Sequence, residues 1–104
     1  MNSQNTSLAE LQKHLAKTCA EKGWDKNSIT EVFLLFTEEV GELAKAIRKE
    51  TGFKGEARPE TRDNLREEFA DVLNYFMELA NRFDIDLAEV YFEKHKINQR
   101  REWK

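Results

Sequence analysis

"FTEEVGELAKAI" runs from Phe36 to Ile47, and its reading decides the fold. Large apolar residues recur at helical spacing while acids stand directly beside them. Extended upstream, the apolar stripe is Ile29, Val32, Phe33, Phe36, Val40, Leu43 and Ile47, a period near 3.6 kept over about five turns. A second segment, "REEFADVLNYF" from Arg66 to Phe76, repeats the arrangement. Its stripe is Leu65, Phe69, Val72, Leu73, Phe76, Ala80 and Phe83. Two amphipathic helices of this length are expected to set their stripes into a shared core.

Outward from these two segments, the signals remain helical. "SLAE" at Ser7 is a capping box with Glu10 at its third helical position, followed by an apolar row of Leu8, Leu11, Leu15 and Cys19. "EKGWDKN" breaks that helix, and "SITE" at Ser28 repeats the capping signature. Two glycines and the single proline in "ETGFKGEARP" end the second helix, and the third is expected from about Pro59. "FDID" makes a short turn, Asp86 is a candidate cap, and a fourth helix carries Leu87, Val90 and Tyr91 towards Arg101. Short connections favour antiparallel neighbours, so one all-α domain over residues 1–104, a four-helix bundle, is the expected architecture.

Composition supports this and narrows function. The 104 residues are 36% charged with a net charge of -3, which suits solvated helices and gives no reason to expect a polyanionic partner. No basic run suggests a nucleic-acid duplex, no apolar run is long enough for a membrane span, and the start lacks the pattern of a signal peptide. The lone Cys19 has no internal disulfide partner and reads as a small core residue. A reducing cytoplasm is the expected compartment. The run "VFLLF", Val32 to Phe36, is apolar around the whole helix. One core needs only one stripe, so a homo-oligomer, dimer or tetramer, is expected to cover the other side.

The acids read in two ways. Glu39 and Glu42 are spaced i, i+3 on a row with Leu35 and Ala46 that borders the main stripe. Glu68 and Asp71 repeat that spacing on the third helix, with Tyr75 one turn further. Charges so spaced are commonplace on solvated helices. Equally, if the helices pack side by side, four carboxylates meet across a seam and require a counter-charge. An all-oxygen set suits Mg2+, with Mn2+ as a substitute, better than zinc. On the fourth helix the row Leu87, Val90, Tyr91 continues as Lys94, Asn98 and Arg101. These residues either fray in solvent at a helix C-terminus or bind phosphate oxygens. Trp24 either packs or stacks on a nucleobase. His14 and His95 lack the Glu-x-x-His spacing of di-iron bundles, and the chain has no Walker loop, Gly-x-Ser-x-Gly elbow or Cys/His cluster.

Taken together, Glu38-Glu39-x-x-Glu42, then Glu68-x-x-Asp71 after 25 residues, with "EEVGELAKAI" and "EEFADVLNYF" around them, resemble the MazG-like nucleotide pyrophosphohydrolases of the all-α NTP pyrophosphatase superfamily. Lys94, Asn98 and Arg101 are similar to that family's Lys-x-x-x-Asn-x-x-Arg. Trp24 and Tyr75 resemble substrate-contacting aromatics of its dCTP pyrophosphatase branch. That branch has a second tryptophan where this chain has Lys49, and its aromatic after the final arginine is displaced here to Trp103.

The resemblance implies a Mg2+-dependent hydrolase that splits a nucleoside triphosphate, a deoxynucleotide, into monophosphate and pyrophosphate in nucleotide-pool sanitation. It implies metal binding by Glu39, Glu42, Glu68 and Asp71, and a water-orienting or deprotonating role for Glu38. Phosphates would fall to Lys94, Asn98 and Arg101, substrate positioning to Tyr75 and the base to Trp24. The loop carrying Lys54 and Arg58 is either a closing lid or a plain connector. The alternatives are a non-enzymatic helical oligomer acting as a binding module, its acids solvated or holding a structural ion, and a diphosphatase or dUTP-specific relative on the same scaffold.

Overall fold

A computed structural model describes residues 1–52 and 58–102. Four helices account for most of them: α1 (Leu8–Lys22), α2 (Ile29–Glu50), α3 (Thr61–Arg82) and α4 (Leu87–Glu102), with a short 3-10 turn, Trp24–Lys26, between α1 and α2. No strand occurs among the described residues, and no helix there is long and apolar enough to cross a membrane.

Local chemistry sets the helix ends. The Ser7 hydroxyl accepts from the Glu10 amide at 3.1 Å while the Glu10 carboxylate accepts from the Ser7 amide at 3.2 Å. Ser28 and Glu31 make the same reciprocal pair at 3.1 and 3.0 Å. Each box satisfies amides that would otherwise lack partners at a helix start, and such a cap is worth about 1 kcal/mol. Gly23 closes α1 with φ 75°, a left-handed conformation in which a side chain would be strained. Asp86 caps α4, its Oδ1 accepting from the Glu89 amide at 3.1 Å. α3 begins at Thr61, just after the expected Pro59. The buried Thr61 hydroxyl donates to the Arg58 carbonyl at 2.8 Å and reaches Glu50 Oε2 at 3.3 Å, which ties the start of α3 to the end of α2.

α2 and α3 form an antiparallel hairpin. Glu50 meets Thr61 at one end, and Phe36 meets Phe76 further along, with ring centroids 5.9 Å apart. The sequence-based core face holds at Val32, Leu65 and Ala80 and needs correction at its larger residues. On α2 the buried residues are Val32 and Ala46, while Phe33 is 55% exposed and Val40 and Ile47 are each 42% exposed. Val32, Glu39 and Ala46 are spaced by seven residues and so lie on one line of the helix. Glu39 therefore lies in the seam against α3 rather than at its border, and much of the greasier face of α2 looks outward. α3 behaves alike: Leu65, Met77 and Ala80 are buried, whereas Phe69, Leu73, Phe76 and Phe83 are exposed. Small Ala46 and Ala80 and slim Val32 permit close helix approach, which bulky phenylalanines would prevent.

α1 lies against α3, and its buried Cys19 packs as expected for a small core residue. Gln12 is only 5% exposed, and the sequence reading passed over it. Its amide nitrogen donates to Asn81 Oδ1 at 3.0 Å and to the Ile85 carbonyl at 2.8 Å, and its Oε1 accepts from the Leu87 amide at 3.0 Å. Asn81 returns a bond to the Gln12 carbonyl at 3.0 Å. One side chain thus latches α1 to the corner where α3 turns into α4, a corner that holds Asp84 at φ 56°. Beyond that latch α4 packs sparingly. The radius of gyration is 16.6 Å, against roughly 13 Å expected for a compact domain of this length. The four helices expected from the sequence are thus present, arranged as a hairpin with α1 alongside it and an outlying α4.

Candidate functional site

The hairpin brings Glu39 on α2 together with Glu68 and Asp71 on α3. One carboxylate oxygen from each lies within 4.8 Å of the others, and all three residues are half-buried. Glu68 Oε2 is buried with no hydrogen-bond partner. A buried anionic oxygen without a partner is costly, because it has lost water and gained nothing in return. Glu39 shows the same strain: partial burial, a hydrogen bond shared with Glu68, and the charges of Asp71, Glu68 and Glu42 push its carboxyl above the ordinary range. Three acids that repel one another around an orphaned oxygen fit a hard divalent cation, whose ligands are carboxylate oxygens.

The remaining sequence candidates fall in different places. Glu42 is exposed one turn along α2, close enough for its charge to act on Glu39 but outside the group of three. Glu38 lies on the exposed side of α2, and its charge reaches the Tyr75 hydroxyl. Tyr75 is half-buried; burial first, then Glu39, Glu78 and Asp71, raise its phenol above the usual value. Trp24, half-exposed on the turn after α1, shares with Glu39, Asp71 and Tyr75 one cavity of about 470 Å3. Lys22 Nζ stands 5.5 Å from the centre of its indole ring. Acids and an aromatic side chain lining one cavity offer polar groups for a charged moiety and a flat face for a ring.

Lys94, Asn98 and Arg101 do not join this cavity within one chain. Lys94 and Asn98 line a separate, largely apolar hollow of about 580 Å3 with Leu73, Phe76, Val90 and Tyr91, and Arg101 is exposed near the end of α4. Lys54 lies outside the described residues, and Arg58 is exposed beside Lys49 and Asn64 in a polar recess. The acid cavity also contains Asn27, Asn74 and Glu78, which the sequence reading passed over. Spacing held a signal for two of them: Asn74 and Glu78 are three and seven residues after Asp71, on the same face of α3.

An all-helical hairpin with carboxylates clustered across its seam and an aromatic in the same cavity defines the class. Residues 27–103 match the MazG nucleotide pyrophosphohydrolase domain, and the chain belongs to that family. It is 33% identical over 105 residues to human (Homo sapiens) dCTP pyrophosphatase 1, covering 95% of this chain and 61% of the relative. To the Rattus norvegicus dCTP pyrophosphatase 1 it is 31% identical over 107 residues, with the same coverage. It is also 40% identical over 65 residues to the uncharacterized protein YpjD of Bacillus subtilis (strain 168), covering 62% of this chain and 59% of that one. The chain thus spans about three fifths of the length of the curated relatives it matches.

Proposed function

We propose that this chain is a Mg2+-dependent nucleoside triphosphate pyrophosphohydrolase. It cleaves a deoxynucleoside triphosphate between its α- and β-phosphates to give the monophosphate and pyrophosphate, and dCTP is the substrate that the names of its relatives favour. The observation that carries the reading is the meeting of Glu39, Glu68 and Asp71, with its orphaned Glu68 oxygen, where Glu39 and Asp71 line the cavity that also holds Trp24. Glu39, Glu68 and Asp71 hold the metal, with Glu42 as a fourth ligand. Mg2+ bound there supplies charge neutralisation at phosphate oxygens and a lowered pKa for water.

The chain's own residues do the rest. Tyr75 keeps its proton, because burial and the neighbouring acids disfavour the phenolate, so its hydroxyl donates to the substrate and positions it. Trp24 stacks on the base. Glu38, on the exposed shoulder beside Glu39, orients or deprotonates the attacking water. Lys94, Asn98 and Arg101 bind phosphates. Their separation from the acids within one chain is the reason we assign the complete site to a homo-oligomer, dimer or tetramer. The exposed Phe33, Phe69, Leu73 and Phe76 supply the face for a second copy. Nucleotide-pool sanitation in the cytoplasm is the role we assign.

The test is product analysis after incubation of dCTP with the protein and Mg2+. Equal amounts of dCMP and pyrophosphate are expected. Orthophosphate with dCDP overturns the choice of bond, and no hydrolysis of any triphosphate with Mg2+ or Mn2+ overturns the enzyme.

A further inference from the structure

The cavity that Glu39 and Asp71 line continues along α3 beyond Tyr75 to Glu78. Asp71, Asn74 and Glu78 stand at i, i+3 and i+7, so all three side chains leave α3 on one face. Seven residues at about 1.5 Å each place Glu78 about 10 Å along the helix from Asp71. That is the scale of the reach from a nucleotide's α-phosphate to the outer edge of its base. Trp24 lines the same cavity and offers the ring against which a base would lie flat.

Glu78 has no part in the chemistry proposed above, and its side chain is only 13% exposed. A carboxylate this enclosed needs a reason. Arg82, one turn on, provides part of it: Nη2 stands 3.4 Å from Glu78 Oε2. Burial raises the Glu78 carboxyl above its ordinary value, and the Arg82 charge and hydrogen bond limit that rise without cancelling it. The arginine holds one oxygen, and among the described residues no hydrogen bond engages the other. The result is a fixed acceptor in a cavity wall, with the Asn74 amide one turn away able both to donate and to accept.

We propose that Glu78, oriented by Arg82, reads the edge of the nucleobase by accepting a hydrogen bond from its exocyclic amino group, with Asn74 serving the adjacent ring position, so that the site selects cytosine over uracil and thymine. The inference rests on the nucleotide reading and adds the side chains that choose the base. Cytosine presents an amino group where uracil and thymine present a carbonyl oxygen. An ionised carboxylate only accepts, so it bonds the first and repels the second. In a half-buried wall that repulsion is not relieved by water, and a site built on one hydrogen-bond polarity rejects the opposite one strongly. An exposed i, i+4 pair of the same residues would stabilise α3 and show no base preference.

Two measurements on the full chain decide the matter. Calorimetric titration of the wild type with dCMP and with dUMP, Mg2+ present, is expected to show dCMP bound at least about tenfold more tightly. Equal binding, tighter dUMP or no binding of either overturns the proposal, whether or not the protein hydrolyses triphosphates. Glu78→Gln then replaces one acceptor oxygen by a donor of the same size. The ratio of kcat/KM for dCTP over dUTP is expected to fall about ten- to hundredfold, through loss on dCTP and retention or gain on dUTP. An equal loss on both substrates marks Glu78 as structural and overturns the assignment while leaving the pyrophosphohydrolase in place. Absence of hydrolysis together with dCMP selectivity does the reverse. If Glu78→Gln fails to fold, Asn74→Leu with the wild-type titration keeps the test open, and an unchanged dCTP preference in that variant removes Asn74.

Discussion

Glu39→Gln should make the metal-free protein more stable, although it deletes a group at the centre of the site. The three carboxylate oxygens of Glu39, Glu68 and Asp71 lie within 4.8 Å of one another, and Glu39 takes part in two of the three repulsive pairs. At that separation each fully charged pair costs about 1 kcal/mol in water and about 3 kcal/mol at the effective dielectric of a protein surface. Salt and partial protonation reduce this, so a net gain of about 1–2 kcal/mol is reasonable. For a domain of about 100 residues that corresponds to a melting temperature higher by about 5–10 °C.

The pH dependence follows from the raised Glu39 carboxyl. A raised acid binds its proton more tightly in the folded protein, so its stabilising contribution is complete below the unfolded value near 4.5 and is lost as pH rises through the folded one. The glutamine variant has no such proton to lose. The two proteins should therefore melt close together near pH 4.5 and diverge as pH increases to 8. Circular dichroism melts in EDTA, at one fixed protein concentration, measure this. Millimolar Mg2+ should raise the wild-type midpoint and move the variant's far less, because a cation relieves only a repulsion that exists. A variant that melts at or below wild type in EDTA at pH 8 would refute the mutual repulsion, and with it the case for a cation at this seam.

Glu42→Gln should abolish turnover and weaken metal binding, yet change the metal-free midpoint less than Glu39→Gln, since Glu42 stands outside the group of three; activity assays and melts in EDTA separate the two effects. Phe76→Lys places a charge on the exposed aromatic face and is expected to lower the assembled mass seen by light scattering; a wild type that is already monomeric at micromolar concentration refutes the second copy. Ser28→Ala removes the capping hydroxyl of α2 and should cost about 1 kcal/mol in a chemical denaturation series. Because hydrogen bonds to Ser28 lower the Glu31 carboxyl, the wild-type cap should weaken as pH falls through that lowered value, and the alanine variant should show less of this loss.

Helix positions were legible in the sequence because they are written locally. Ser7 with Glu10 and Ser28 with Glu31 are complete signals within four residues, and a glycine that ends α1 needs no tertiary partner. The facing of α2 was not legible in the same way. Its apolar residues wrap most of the way round, and residue type alone ranks Phe33, Val40 and Ile47 with Val32 and ahead of Ala46. Backbone approach reverses that choice, because helices close on their smallest side chains. The acid motifs themselves were plain, and their spacing brought Glu39, Glu68 and Asp71 to one place once the helices paired. Position along the sequence gave no hint that Lys94 and Asn98 line a different hollow, for that depends on how α4 leaves the corner at Asp84. Glu78 was missed for a simpler reason: beside Arg82 at i+4 it reads as an ordinary surface ion pair, and only its enclosure distinguishes it.

The latch at Gln12 has a mechanical consequence. α4 is a lever with its pivot at Leu87, where the Gln12 Oε1 takes the first amide. At about 1.5 Å per residue, Lys94 rides about 10 Å from that pivot and Arg101 about 21 Å. A tilt of about 10° at the root would carry the arginine nearly 4 Å, more than the length of a hydrogen bond. The aim of the cationic tip is therefore governed by a neutral amide on α1, far from it in both sequence and space. Shortening that amide by one methylene, Gln12→Asn, leaves every charge in place and unsteadies the lever. Hydrogen exchange along α4 should accelerate from Leu87 outwards, while α2 and the seam keep their protection.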